Sequence, residues 1–490
     1  VSTGGNSVGS AKIPWDTGQQ SSVDPLAGAT PCAVNVLVDD GGAVHLRPGI
    51  STWSAFAKPP LFAASAVQGI QVFQGSLVWI TADRLIHRLV ADNYAVDLSS
   101  ASATTQLDGS ARPTFAVCKS LLAIAGAGEP QKWDGSSALS ARLGGSPPPA
   151  SHIVAMNQGL IVNVLGNTGQ MQWSDTTLEN WPGLNFIELA NDPDPLIGLY
   201  KNSGEIIGLG TASVQVMAPT TATVDNQGTL FFTYLPSRNF DFGTDAPYSF
   251  IAADQDGGES FYFLDERHRF VQSDNRSITP ISDLIQKQLN ALGTWSDCWG
   301  FRLHQDAWDL LCWIFPTVGR GFMYDMAHKR WSEIKSFSDG NWAPWIGQSA
   351  APWGSRGLNL VGLGDGTIGT FDFGSASEGG SPVVGEVVTG FQDRGTRNKK
   401  HCQRVRFTFR RGLPATGTGV PPSCQVTYRD DLGQWEDWYT LDMGSPTDPA
   451  PTVELSSLGI YRERQWRIRM SDSVPLTLVE AEETYEVSDL

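Results

Sequence analysis

The residues best equipped for chemistry lie near the C-terminal end. In the stretch TYRDDLGQW (Thr427–Trp435), Asp430 and Asp431 stand side by side, with Glu436 just beyond. Paired acids of this kind can supply the general acid and the base of glycoside hydrolysis. Further on, Arg462, Arg464, Arg467 and Arg469 could together hold a carboxylate-bearing substrate. Spacing argues against both readings. Adjacent residues on a strand point to opposite faces, so Asp430 and Asp431 are poorly placed to converge on one bond. Four arginines within a single strand read as a solvated or interface strand rather than a pocket gathered from separate elements.

Other chemistry finds less support. Cys32, Cys118, Cys298, Cys312, Cys402 and Cys424 are scattered, with no CxxC pair, and the seven His form no HExxH or related spacing. Reduced thiols, no metal and no cofactor are the expectation. The glycines of AIAGAGEP and VGLGDGTIG are followed by Pro130 and by a strand, whereas a phosphate cradle needs a helix N-terminus, so both are β-turns. No GxSxG or P-loop occurs, and nothing favours a Ser-His-Asp triad.

The elements that would have to position any site are strands. Turns consume the 52 Gly and 29 Pro, sheet faces absorb the 17 Trp, and only 17% of residues are charged. No apolar run approaches the ~18 residues needed to span a bilayer, so a soluble chain is expected. The first twenty residues have neither a basic head nor an apolar core, so no secretory leader is expected there. Residues 1–30, rich in Gly, Ser and Gln, read as an arm ordered, if at all, by a partner.

One phrase recurs. In GFMYDMAHKRWSEI (Gly321–Ile334), Phe322, Tyr324 and Met326 share one face, Asp325 sits at the corner, and Trp331 re-enters. Similar corners carry Asp83, Asp134, Asp175, Asp265 and Asp372, with Gly208–Val224 a degenerate member between Asp175 and Asp265. A module of short strands repeating every ~40–60 residues is the period of a propeller blade. Each Asp is expected to bond backbone N–H groups of its turn, as scaffold rather than catalyst.

SITPISDLIQKQLNALG breaks the pattern. With Ser282 as N-cap, Leu284, Ile285 and Leu289 on one face and Gly293 as stop, it reads as a short helix inserted between blades. From about Ser381, RVRFTFRRG, SCQVTYRDD and RQWRIRMSD alternate basic and apolar residues. The fold expected is therefore all-β: an arm over 1–30, a β-propeller with insertions over 31–380, and a β-sandwich-like platform over 381–490, with one or two short helices. Aromatics in GTWSDCWGF and DGNWAPWIG are expected on exposed intersubunit faces.

Charge is uneven. The net value is −17, which opposes a grip on a nucleic-acid backbone. Yet Arg394, Arg397, Lys399, Lys400, Arg404, Arg406, Arg410 and Arg411 crowd into one segment, while the last residues are acidic. Parity puts Arg404, Arg406 and Arg410 on one strand face and Val405, Phe407 and Phe409 on the other. Docking to an acidic partner, a solvated edge and DNA contact are the open accounts of this segment.

Two resemblances add expectations. Thr427–Trp435 resembles the Asp-box turn of sialidase-like enzymes, which are built on propellers; a glycosidase or other carbohydrate-processing tail protein is therefore the alternative reading. The longer resemblance runs from about Pro31 to Leu478. PCAVNVLVDDGGAVHLRPGI, with Asn35 and then Arg47, Pro48 and Gly49, resembles the N-terminal signature of the tail nozzle (tail hub, or packaged-DNA stabilisation) proteins of short-tailed bacteriophages. DPDPLIGLYKNSGEIIGLGTASVQVM, RSITPISDLIQKQLN, FMYDMAHKRWSEI, QRVRFTF and SDSVPLTL follow in the family order.

That resemblance implies a propeller with platform and tip elements, and a homo-hexameric ring below the portal and its adaptor. The implied partners are the adaptor, tail fibre or tailspike and needle or tip proteins. Genomic DNA would pass through the lumen without being read. It further implies a place in the virion tail, assembly in the host bacterial cytoplasm, and no enzyme site. An acidic lumen would repel phosphates over about a Debye length, ~8 Å, and let DNA slide.

Overall fold

The computed structural model describes residues 7–488 apart from 16–32, 53–64, 92–93, 98–106, 108–110, 157, 167, 190–193, 203, 224–229, 235–238, 256–257, 275–276, 306–307, 413–422, 445–447 and 472–474. Most of the expected arm, Cys32 and the start of the DPDP segment lie outside the described residues.

Short alternating strands dominate. The chain opens with β1 (Ser7–Lys12), β2 (Ala33–Val34), β3 (Val36–Val38), β4 (Val44–Leu46) and β5 (Gly49–Thr52). Blade one follows as β6–β9 (Val67–Phe73, Ser76–Thr81, Ile86–Ala91, Tyr94–Asp97), and blade two as β10–β13 (Thr114–Cys118, Leu121–Ala125, Gln131–Trp133, Ala141–Arg142). Blade three is β14–β17 (Ile153–Met156, Gly159–Asn163, Gln170–Trp173, Phe186–Glu188), and blade four β18–β21 (Leu196–Asn202, Glu205–Gly210, Val214–Thr223, Leu230–Tyr234). Blade five is β22–β25 (Ile251–Gln255, Gly258–Leu264, Phe270–Ser273, Ile278–Pro280).

A joint unit comes next, β26–β29 (Trp299–Gln305, Trp308–Phe315, Arg320–Asp325, Arg330–Glu333), then a hairpin of β30 (Ser336–Ser338) and β31 (Asn341–Ala343). Blade six is β32–β34 (Gly347–Trp353, Leu358–Leu363, Ile368–Asp372), completed by β5, which pairs antiparallel with β34. A strand from the N-terminal end thus closes the ring.

Six blades are free-standing four-stranded sheets, and the joint unit stands between blades five and six. The first strands of successive units adjoin one another around the ring, except that β18 of blade four meets β23 of blade five. Cores lie between blades. Val67, Leu77 and Trp79 of blade one pack with Trp353, Leu360 and Ile368 of blade six, and Phe301 and Cys312 of the joint unit with Val361 and Phe371. The second strand of each of blades one to four is buried on both faces, as its near-continuous apolar run requires. The parity expected in Gly321–Ile334 holds: Phe322, Tyr324, Met326 and Trp331 enter the core towards blade five, while Met323 and Ile334 enter the opposite one.

The helical insertion sits between blade five and the joint unit as a 3₁₀ turn (Asp283–Ile285) leading into α1 (Gln286–Asn290). Ser282 stands at the N-cap of this turn, as expected, but its side chain makes no capping bond. Its hydroxyl accepts from the Phe270 N–H at 3.0 Å and faces Gln286 Oε1 at 3.1 Å, because tying the turn back to blade five satisfies a buried strand donor.

The remaining strands are β35 (Ser377–Glu378), β36 (Ser381–Pro382), β37 (Val384–Val388), β38 (Lys400–Arg411), β39 (Ser423–Asp430), β40 (Tyr439–Leu441), β41 (Thr452–Ser456), β42 (Ile460–Tyr461), β43 (Arg464–Ser471) and β44 (Leu476–Val487). β35 and β36 pair with each other as a separate hairpin, and the others form a sandwich. One sheet runs β3-β4-β44-β38-β41, with β1 on β44 and β42 on β38; the other runs β2-β37-β43-β39-β40. Val405, Phe407 and Phe409 meet Cys424, Trp466 and Ile468 between them.

Two expected boundaries shift. Residues 33–46 belong to the sandwich sheets rather than to the propeller, since Ala33, Val36, Val38, Val44 and Leu46 face the sandwich core, with Leu37 turned into the core of the joint unit and blade six. Within the arm, Ser7–Lys12 pairs with β44 of its own chain. The second sheet also continues into the joint unit through a parallel bridge of Val34 to Glu333, giving nine strands across both bodies. The expected exposed aromatics are largely internal: Trp299 and Trp345 are buried, Trp295 stacks on His268, and Trp342 meets Phe337 edge-on.

Candidate docking face and the joint behind it

The corner aspartates are scaffold. Asp134, Asp175, Asp265, Asp325 and Asp372 each accept the backbone N–H two residues on, at 2.8, 2.8, 3.0, 3.1 and 2.7 Å. Asp83 accepts the Thr81 hydroxyl. In the degenerate blade four the role falls to Asp194, which precedes the blade and accepts from Thr211 N and Ala212 N at 3.0 and 2.9 Å. Its distance in sequence from that turn hid it.

Of the acids and arginines of the hydrolase reading, Asp430, Arg464, Arg467 and Arg469 make internal ion pairs, while Asp431, Glu436 and Arg462 are exposed. Arg464, wholly buried, donates from Nε and Nη2 to both oxygens of Asp430 at 2.7 and 2.8 Å, beneath the rings of Tyr428 and Tyr461 at 4.0 and 4.3 Å. Burial raises Asp430 above the usual carboxylate range, against the pull of Arg464. Asp431 accepts the N–H groups of Arg462 and Glu463 at 2.9 Å each. Arg467 and Arg469 grip opposite oxygens of Glu386. Asp430 and Asp431 thus have different partners, a buried guanidinium and two backbone N–H groups, while Arg467 and Arg469 share one carboxylate.

The basic segment divides in two. Arg394, Lys400 and Arg411 are buried, which removes them from any docking face. Arg394 donates to Glu483 Oε2 from Nε and Nη2 at 3.1 and 2.6 Å. Lys400 Nζ gives its three protons to the carbonyls of Thr396, Asn398 and Arg462 at 2.7, 2.8 and 2.6 Å, and burial lowers its pKa. A buried ammonium needs this full set of acceptors.

Arg397, Lys399, Arg404, Arg406 and Arg410 are exposed. Arg404, Arg406 and Arg410 share the outer face as parity requires, but acids flank them. Glu454 on β41 pairs with Arg406 at 2.8 Å and lies 3.7 Å from Arg404. On β44 the acidic C-terminal run is their antiparallel neighbour: Arg406 faces Glu482 and His401 faces Glu486. The two charge runs, remote in sequence, lie beside each other in one sheet. Among the described residues, Arg410, opposite Thr477, and the Arg397–Lys399 turn at the other end of the strand have no carboxylate directly across from them.

Behind the face lies a buried joint. Asn35, at φ 55°, accepts at Oδ1 from Arg47 Nε and Lys335 N at 2.8 and 2.9 Å, and donates from Nδ2 to the carbonyls of Lys335 and Val384 at 2.8 Å each. Arg47 also donates to Pro48 O and Glu378, at 2.9 and 2.6 Å. Gly49 N bonds Ser375 O at 2.7 Å, and a Cβ on Gly49 would lie 2.3 Å from Ser377 O. Joint unit, blade six and sandwich meet on these side chains.

At the propeller axis, Arg112 donates to Gln348 O at 2.8 Å and Gln68 O at 3.4 Å, and lies 4.2 Å over Trp299. It links blades one, two and six to the joint unit; sequence gave no sign of this role.

Among the described residues, no group of three or more His, Cys, Asp or Glu could hold a metal, and no helix is long and apolar enough to cross a membrane. No family model matches the chain, and no curated protein matches it either. Among solved structures, the computationally designed Ika8 protein is 11% identical with a TM-score of 0.38, covering 66% of this chain and 99% of that one. BamB from Moraxella catarrhalis is 12% identical with a TM-score of 0.33, covering 74% of this chain and 96% of that one.

Proposed function

We propose that this chain is a structural subunit of a short-tailed bacteriophage tail nozzle: a ring below portal and adaptor that retains packaged DNA and forms its exit channel. The observation that carries the reading is the joint. The signature residues Asn35 and Arg47–Gly49, on which the resemblance rests, weld the sandwich to the propeller through buried hydrogen bonds. Two bodies fixed by one nine-stranded sheet suit a wall that bears load. The exposed Arg397–Lys399 turn gives the adaptor or another acidic partner a cationic contact, and complementary charge would fix its register.

Native mass spectrometry of the purified protein and electron microscopy of virions test this. Sixfold rings at the tail are expected. A monomer that persists in mature particles, or glycan turnover by the isolated chain that Asp430→Asn abolishes while the fold survives, would overturn the reading.

A further inference from the structure

The N-terminal strand occupies a seat built by distant parts of the chain. β1 pairs with β44 over six residues, from Ser7 opposite Val487 to Lys12 opposite Glu482. β4 takes the same edge of β44 only at Thr477 and Leu478, so β1 covers the length that would otherwise stand open. Beyond the strand, Ile13 N bonds Ala481 O at 2.8 Å, and Ile13 and Trp15, 3% and 2% exposed, enter the sandwich core.

The seat is specific. Arg394, already fixed on Glu483, donates to Lys12 O at 3.0 Å; Lys12 Nζ meets Glu480 at 2.9 Å; Ser10 donates to Glu482 at 2.5 Å. Gly9 lies against Tyr485, where a Cβ would come within 2.9 Å of the ring. The paired strand and the polar partners all lie beyond residue 390, while Ile13 and Trp15 share the sandwich core with Val36, Val38 and Val44 as well. The next described residue after Trp15 is Ala33, so seventeen residues separate arm and body, a chain length that can span up to about 60 Å when extended.

We propose that in the assembled ring this seat receives the arm of a second copy of the chain, each subunit lending residues 7–15 to its neighbour. The inference rests on the ring reading above. Identical copies offer identical seats, so exchange replaces every contact one for one, and a head-to-tail interface that closes into a ring leaves no seat empty. It also covers an open strand edge that would otherwise promote uncontrolled pairing. Ile13 and Trp15 become anchors between subunits. The ring then resists dissociation without a large new interface.

Paired cysteines in the full chain test this. Ser10→Cys with Thr484→Cys joins directly opposed residues, and Val8→Cys with Glu486→Cys provides a second pair on the exposed side, each in a Cys32→Ser background. After assembly and oxidation, denaturing non-reducing electrophoresis should move the chain from 52.9 kDa to covalent multimers, while single-cysteine controls stay at 52.9 kDa. Crosslinked chains that remain at monomer mass in both pairs overturn the exchange. Native mass spectrometry of the same samples reads the ring separately: a ring of internally crosslinked chains defeats only the exchange, whereas absence of any ring defeats the nozzle reading too.

Discussion

Arg47 Nε donates to Asn35 Oδ1 at 2.8 Å, and both side chains are buried where joint unit, blade six and sandwich converge. Asn35→Ala would leave the Arg47 guanidinium and the Lys335 N–H short of an acceptor. Leaving a buried donor unsatisfied costs about 1–3 kcal/mol, and Arg47 keeps its pair with Glu378. Urea unfolding should show that loss. Asn35→Gly suits the positive φ but should lose nearly as much, since the hydrogen bonds, not the backbone angle, hold the joint. Wild-type stability in either variant would refute the weld.

Arg112 is the keystone of the axis. Arg112→Ala removes two inter-blade hydrogen bonds and the stack on Trp299. A loss of about 2–4 kcal/mol is expected, on the scale of hydrogen bonds to charged groups. Amide hydrogen exchange should rise first in the inner strands β6, β10 and β32. Uniform protection across all blades would count against a keystone role.

His152 makes stability depend on pH. Its ring is fully buried, stacked on Tyr248 at 4.9 Å, with Nδ1 2.9 Å from Ser151 Oγ and Nε2 3.1 Å from Tyr200 Oη. Burial lowers its pKa from 6.5 to about 3. Between those values the unfolded chain binds a proton that the folded chain refuses. The contribution is whole above pH 6.5 and shrinks as pH falls towards 3, with a slope of up to about 1.4 kcal/mol per pH unit. His152→Gln should flatten that part of the stability profile. An unchanged slope in equilibrium unfolding from pH 7 to 4 would contradict it.

The Arg397–Lys399 turn carries the docking prediction. Arg397→Glu with Lys399→Glu changes two exposed side chains, so stability should move by no more than about 0.5 kcal/mol. Under the nozzle function proposed above, particles carrying the pair should package DNA and leak it. Arg404→Glu with Arg406→Glu should instead act on the sheet itself, placing acids against Glu454 and Glu482; its cost, about 0–1 kcal/mol per lost exposed pair, is readable in a double-mutant cycle with Glu454→Arg. Full, tight particles from the first pair would defeat the docking account.

Sequence by itself determined the strand grammar. Phe322, Tyr324 and Met326 alternate, so they must share a face, and an Asp at a corner can reach the N–H two residues on whatever surrounds it. Those are local consequences of backbone geometry. The joint between distant segments was beyond it: residues 33–46 look like the start of a propeller, yet pair with strands more than three hundred positions away. The basic segment shows the limit most plainly. Parity gave the outward face of Arg404, Arg406 and Arg410, but the acids beside it are Glu454 and those of the C-terminal run. Arg394, Lys400 and Arg411 read as surface charges and are buried, because sheet pairing around Glu483 and the carbonyls of Thr396, Asn398 and Arg462 supplied acceptors for two of them inside the domain. Pairing between remote strands decides burial, and burial decides which charges can meet a partner.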